Sequence, residues 1–221
     1  MQTFTTPAPI TVVLTIPAGR VQVIASDRGD TTVEVRPADV GKSRDVKTAE
    51  QTTVAYADGV LRIHTEEHAN RLLGHTGSIE VTVQVPAGSD VQAKTASTEL
   101  SVAGRLGDLA FEGAYRTIKI DEAATVRLTA IDGDVEVGRL TGAAEISTER
   151  GDIRIDEAVT GAVVLNTGSG DISVGAALGV SAALDAGTGH GRVSNALKNN
   201  GAADLAIRAT TGYGDITARS L

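Results

Sequence analysis

The chain has 221 residues and no cysteine, and its 20 basic against 28 acidic residues leave a net charge of −8. That charge has the wrong sign for gripping phosphate backbones, which excludes nucleic acid as a partner, and the missing thiols exclude disulfides and thiolate metal sites. Aromatics make up 2% of a chain that is 41% hydrophobic, so its core must be built from Val, Ile, Leu and Ala.

The N-terminal stretch MQTFTTPAPITVVLTIPAGR carries no basic residue ahead of its short apolar run, and Thr and Pro interrupt that run. It reads as a strand, not as a secretory leader. No stretch approaches the roughly 18 apolar residues that read as a membrane span. With neither leader nor anchor visible, the expected location is the cytoplasm. The segments ITVVLTI, RVQVIAS, TTVEVRP, VLRIHT and SIEVTVQVP then alternate apolar and polar residues, with turn signals at PAG (17–19 and 86–88), DRGD (27–30) and ADG (57–59). Residues 1–88 are therefore expected to form an antiparallel or mixed β cap, because an open sheet end is a sticky edge. The polar run 38–52 and the stretch 66–77 read as loops with at most a helical turn.

Beyond residue 89 one phrase recurs: IDGDVEV (131–137), TERGDIRIDEA (148–158), TGSGDIS (167–173) and TGYGDIT (211–217). Aligned on it, the apolar anchors Leu100, Ile118, Val135, Ile153, Ile172, Val193 and Ile216 are separated by 18, 17, 18, 19, 21 and 23 residues. A near-constant period of this length marks a solenoid. A second ladder runs through Phe111, Leu128, Ile146, Leu165, Leu184 and Ile207, each with an apolar residue two positions earlier. A third, weaker series is Leu106, Leu140, Val159, Leu178 and Leu197. Period-2 segments closed by Gly turns make strands, while 25 glycines would interrupt helices at about 1 kcal/mol each. The expected fold is all-β: a single-domain β-solenoid (β-helix) over 1–221, with about seven rungs of about 18 residues in 89–221 and the cap ahead of them.

Outward residues at equivalent positions should then be neighbours across coils. Lys119, Glu136 and Arg154, and likewise Arg127 and Glu145, alternate in sign, as cross-strand pairing favours by about 0.2–1 kcal/mol per pair. The repeated Gly supplies a positive φ at the corner, and Asp134, Asp152, Asp171 and Asp215 can bond nearby backbone N–H groups. Carboxylates stacked about 5 Å apart repel by roughly 1 kcal/mol in water, so they must be solvated, bonded to amides or bridged by a cation.

The approach VPAGSDVQAKTAS (85–97), followed by serial T-x-x-G-D-hydrophobic repeats, resembles a bacterial β-strand-repeat family of putative adhesins of unknown function, akin to the toast-rack domains. The resemblance runs over essentially the whole chain. It implies a β-solenoid and, in relatives, association with the cell envelope or envelope-stress signalling, where such domains act as interaction platforms.

Three motifs suggest chemistry, and each has a plainer reading. HTEEH (64–68) matches an inverted zinc-peptidase motif, but that chemistry needs His64 and His68 on one face of a helix, and the motif starts inside a strand pattern. The Asp column resembles calcium-binding β-helix repeats, yet it offers one Asp per coil where those supply one every nine residues. GTGHG (187–191) lacks the following helix of a phosphate loop. The expected function is a non-catalytic interaction or scaffold module with an unidentified protein partner and no cofactor. The alternatives are a carbohydrate-active β-helix enzyme and a calcium-binding β-solenoid adhesin. At the far end the last coil, TTGYGDITARSL, is expected to be exposed, with NALKNNGAAD (195–204) folded over it, giving a monomer or a small closed homo-oligomer.

Overall fold

The computed structural model describes residues 1–65, 77–115 and 117–221. In chain order the elements are β1 (Gln2–Thr5), β2 (Thr11–Ser26), β3 (Asp30–Pro37), α1 (Ser43–Gln51), β4 (Thr52–Ala57), β5 (Val60–Thr65), β6 (Ile79–Pro86), β7 (Asp90–Tyr115), β8 (Ile118–Asp132) and β9 (Val135–Leu140). They continue as β10 (Ala144–Arg150), β11 (Ile153–Ala158), β12 (Gly161–Ser169), β13 (Ile172–Ala176), β14 (Ala182–His190), β15 (Val193–Ala196), β16 (Leu205–Tyr213) and β17 (Ile216–Ser220). From β10 onward each coil contributes one longer and one shorter strand, joined at a glycine corner that is Gly-Asp in all but the β14–β15 coil. Stacked in parallel, these strands give two facing ladders with an aliphatic core between them.

The interior ladder of the short strands runs as the repeat spacing predicts. Leu100 pairs with Ile118, Ile118 with Val135, Val135 with Ile153, and Ile153 with Ile172. Ile153 is fully buried. On the long strands Leu109 and Phe111 pair with Val126 and Leu128, then with Ala144 and Ile146, then with Val163 and Leu165.

The last two coils depart from chain order. β16 pairs in parallel with both β12 and β14, and β17 with both β13 and β15. The C-terminal coil is therefore inserted between the coil of 161–176 and the coil of 182–196, and the outermost position belongs to 182–196. Ile216 sits between Ile172 and Val193, and Val193, expected in the interior, is 46% exposed because nothing stacks on its outer side among the described residues. The expected exposed coil, TTGYGDITARSL, is internal. The long-strand register also corrects the second ladder: Val163 pairs with Ile207 and Leu165 with Ala209, two residues on from the expected match. A shift of two keeps every side chain on its own face, so alternation alone cannot detect it.

The third ladder is Leu106, Ala123, Leu140, Ala158 and Ala176. Small alanines fit this narrow corner, whereas Val159 and Leu197 are only half-buried and Leu178 is exposed. At the other end, β2 pairs in parallel with β7 from Thr11↔Asp90 to Ile24↔Ala103, so residues 11–26 are themselves a coil of the stack. β5 and β6 pair in parallel with β2. Beyond them β4 lies antiparallel on β5, β3 on β6, and β1 on β3. The Phe4 and Tyr56 rings, from the two edge strands, meet at 5.4 Å and cover the aliphatic core there.

The polar stretch expected as a loop holds α1. Its inward side carries Asp45 and Thr48, which accept the Ser78 and Gly77 backbone N–H groups at 2.9 and 3.1 Å. A helix pinned by polar side chains has no apolar stripe to announce it. Among the described residues no helix is long and apolar enough to cross a membrane.

Candidate functional site

The T-x-x-G-D phrase is the most conspicuous cluster of polar groups, and its residues act chiefly between coils. Gly151 has φ +132° and Gly170 φ +155°, a region that side chains rarely adopt. A Cβ on Gly170 would lie 2.1 Å from the Gly151 carbonyl oxygen, so the corners stack backbone on backbone. The Thr hydroxyls reach carbonyls at the same corner. Thr167 donates to the Gly151 oxygen at 3.0 Å, Thr211 to Gly170 at 2.9 Å and Thr188 to Gly214 at 2.9 Å.

The Asp column is a ladder of backbone acceptors. Asp134 Oδ1 accepts the Asp152 N–H at 2.9 Å, Asp152 accepts that of Asp171 at 2.7 Å, and Asp171 accepts that of Asp215 at 2.7 Å. Asp215 in turn accepts the Arg192 N–H at 2.8 Å and its guanidinium at 2.9 Å. These two contacts, the backbone one foremost, hold the Asp215 carboxyl below the usual carboxylate range. The bonding runs from coil to coil, not back onto the same turn. Charge-assisted bonds of this kind offset the repulsion between stacked carboxylates. A second, shorter column stands at the start of the long strands, where Asp90 accepts the Asp108 N–H at 2.8 Å and Asp108 accepts the Thr125 hydroxyl at 2.7 Å.

Of the zinc-like motif, His64 lies exposed on β5, inside a strand as the alternation implied, and His68 lies outside the described residues. Among the described residues no three His, Asp or Glu side chains gather as a metal site. GTGHG forms the end of β14 and its corner, with no helix after it. There the exposed His190 stacks on Tyr213 of the neighbouring coil at 4.6 Å with the rings 6° from parallel. The outward charges pair as their positions imply. Lys119 meets Glu136 at 3.0 Å and Arg127 meets Glu145 at 3.7 Å, although Arg154 turns to Asp156 at 2.5 Å within its own strand.

A concavity runs along the outer surface of the long-strand ladder. Its floor is the column Gln92, Ala110, Arg127, Glu145 and Val164, one residue per coil, and it holds about 640 Å³. It spans four inter-coil steps, roughly 19 Å. Ala110 makes the dip, because its methyl stands between the longer side chains of Gln92 and Arg127. The floor continues into a neighbouring hollow of about 520 Å³ beside Lys94 and Glu112. The periodicity placed these residues outward, but a groove depends on which outward residue is short, and no motif marks that.

Residues 12–220 match the model of the family described as Toastrack DUF4097. No curated protein matches the chain. Among solved structures, the chain is similar to a putative adhesin from Bacteroides fragilis, at 12% identity and a TM-score of 0.47, over 98% of this chain and 95% of that one. It is also similar to a putative cell adhesion protein from Clostridium sporogenes, at 11% identity and a TM-score of 0.43, over 100% and 98% of the two chains. A putative adhesin from Parabacteroides distasonis gives 12% and 0.43, over 100% and 95%. Likeness of this degree carries no functional weight.

Proposed function

The chain belongs to the Toastrack DUF4097 family, and from that premise we propose that it is a non-catalytic β-solenoid module whose long-strand groove holds an extended segment of a protein partner. The observation that supports this reading is the groove itself. Its floor comes from five coils bonded to one another along their length, so it offers a surface already in its binding shape. Little ordering is then needed on binding, which is where much of the free-energy cost of association arises. Its charges are distributed in opposite-sign pairs, Lys94 with Glu112 at 3.2 Å and Arg127 with Glu145 at 3.7 Å, around the short Ala110. A partner segment of mixed charge with small apolar residues suits such a lining. The same proposal places the partner at the cell envelope or in envelope-stress signalling, as the resemblance of its repeats implies.

The test is a photo-cross-linking residue in place of Gln92, irradiated in extract of the parent cells, with and without Ala110→Arg. One dominant adduct that the Arg side chain suppresses is the expected result. Labelling indifferent to Ala110→Arg, or release of sugar from polysaccharide by the purified protein, would overturn the reading.

A further inference from the structure

We propose that the outermost coil pairs with a second copy of this chain, β14 lying antiparallel to β14 across a two-fold axis at Ala186. The inference deepens the reading of the chain as an interaction module and rests on it. The two ends of the stack are finished differently. One end is closed by antiparallel β1, β3 and β4 and by the Phe4–Tyr56 contact. At the other, β14 and β15 pair inward with β16 and β17, and among the described residues no strand lies on their outer side. Leu184 and Ala186 are only half-buried there, and Val193 is 46% exposed. An unprotected strand edge over aliphatic side chains is a template for another strand.

Continuation of the stack in the same sense is disfavoured by the Asp ladder. From Asp134 onward each coil offers an Asp carboxylate to the N–H of its neighbour, whereas the outermost coil carries Arg192 at that position, its N–H and guanidinium both spent on Asp215. A further parallel coil would find no acceptor. Antiparallel pairing makes no use of the ladder.

The strand also suits its own copy. Lys198 and Asn199 already bond the backbone of Ala182, at 2.9 and 3.1 Å, which leaves 183–189 open, centred on Ala186. A two-fold there sets Ala183 opposite Gly189, Leu184 opposite Thr188 and Asp185 opposite Gly187. Half-buried Leu184 thus gains a same-face neighbour, and the one charged residue of the strand meets a glycine, not its own copy. Residues 177–204 hold two acidic and two basic residues, a net charge of zero in a chain of −8, so the long-range repulsion between copies is weakest at this face. A two-fold contact uses the same patch on both copies and closes after one partner.

Gly187 makes the test clean. It has no positive φ and a Cβ there would touch nothing within 4 Å, so a side chain leaves the single chain undisturbed. Sedimentation equilibrium of the full chain should show a mass rising with concentration from 22.6 kDa towards twice that value and no further. Gly187→Asp, which sets two like charges directly opposite Asp185 of each copy, should raise the dimer Kd about tenfold, and Gly187→Lys should lower it, with unchanged melting temperatures in dilute solution. A mass constant at one chain up to about millimolar concentration, where a bare strand contact would register, overturns the proposal. So does growth past the dimer, or a dimer that ignores both substitutions. None of these outcomes touches the groove, whose partner is read by cross-linking at Gln92.

Discussion

Replacing Gly170 by Ala should unfold the stack about its middle, and the structure supplies the magnitude. The added Cβ would lie 2.1 Å from the Gly151 oxygen and 2.5 Å from its carbon, at a residue whose φ is +155°. Relief requires about 1 Å of separation between two backbones that are bonded on both sides. The Gly151 N–H bond to the Ser169 oxygen, 2.9 Å, and the Asp171 N–H bond to Asp152, 2.7 Å, both span that gap. A side chain in a left-handed conformation costs about 1–2 kcal/mol; the neutral bond contributes about 1 and the charge-assisted one about 1.5–3, for a sum of roughly 3–6 kcal/mol. For a chain of this size that corresponds to a fall in melting temperature of order 10 °C. Gly187→Ala is the control: with no neighbour within 4 Å and no positive φ, it should be neutral or stabilise by up to about 1 kcal/mol through the unfolded chain. Thermal and urea melts of the two variants decide the matter. A Gly170→Ala protein within about 1 kcal/mol of wild type, or a Gly187→Ala protein equally damaged, would refute close stacking as the reason for the repeated glycine.

Ile153→Asp should cost more than about 4 kcal/mol, since it sets an unpaired carboxylate between Val135 and Ile172 at a position with no solvent exposure; a urea midpoint near that of wild type would contradict the interior ladder. Because the Asp column accepts backbone N–H groups, neither EDTA nor added Ca²⁺ should move the melting temperature, and a rise of several degrees with Ca²⁺ would reveal a bound cation. The Asp215 carboxyl is held below its ordinary value of 3.8 by Arg192, so its ionised form stabilises the folded chain above that value and the contribution is lost as pH falls through and below it. Urea midpoints at pH 5 and pH 3 should therefore fall less for Asp215→Asn than for wild type, and equal falls would remove Asp215 from the acid response.

The solenoid was legible because its core repeats by residue type. Ile118, Val135, Ile153 and Ile172 are interchangeable aliphatics at nearly constant spacing, and parallel stacking turns that spacing directly into contact. Three features were not legible from spacing. α1 buries Asp45 and Thr48, so hydrophobic periodicity is silent over 43–51. β2 joins the stack from the far side of the excursion through β3 to β6, and its ITVVLTI and RVQVIAS segments read equally well as cap strands or as a coil. The groove arises from Ala110, one short residue in a column of long ones, a difference of volume that no motif records. Of the conspicuous site residues, the Asp column was recognisable as turn chemistry, but the identity of its donors required the neighbouring coil.

The order of the last coils follows from that same ladder. In chain order, Asp171 would bond the Arg192 N–H, Arg192 would have no carboxylate for the Asp215 N–H, and Asp215 would end the stack with no N–H donor from a following coil. With the C-terminal coil inserted, Asp171 accepts from Asp215 and Asp215 accepts from Arg192. Every carboxylate of the column then has a donor, and the residue without a carboxylate stands where no donor follows. The guanidinium adds a second bond to Asp215 at 2.9 Å. Hydrophobic matching does not oppose the exchange, since Ile172 can stack on Ile216 as well as on Val193, and the longer connection 197–204 supplies the reach. One Arg in place of a repeated Asp thus acts as a terminator for the stack, and it was present in the sequence as GTGHGR, which breaks the Gly-Asp phrase between TGSGDIS and TGYGDIT.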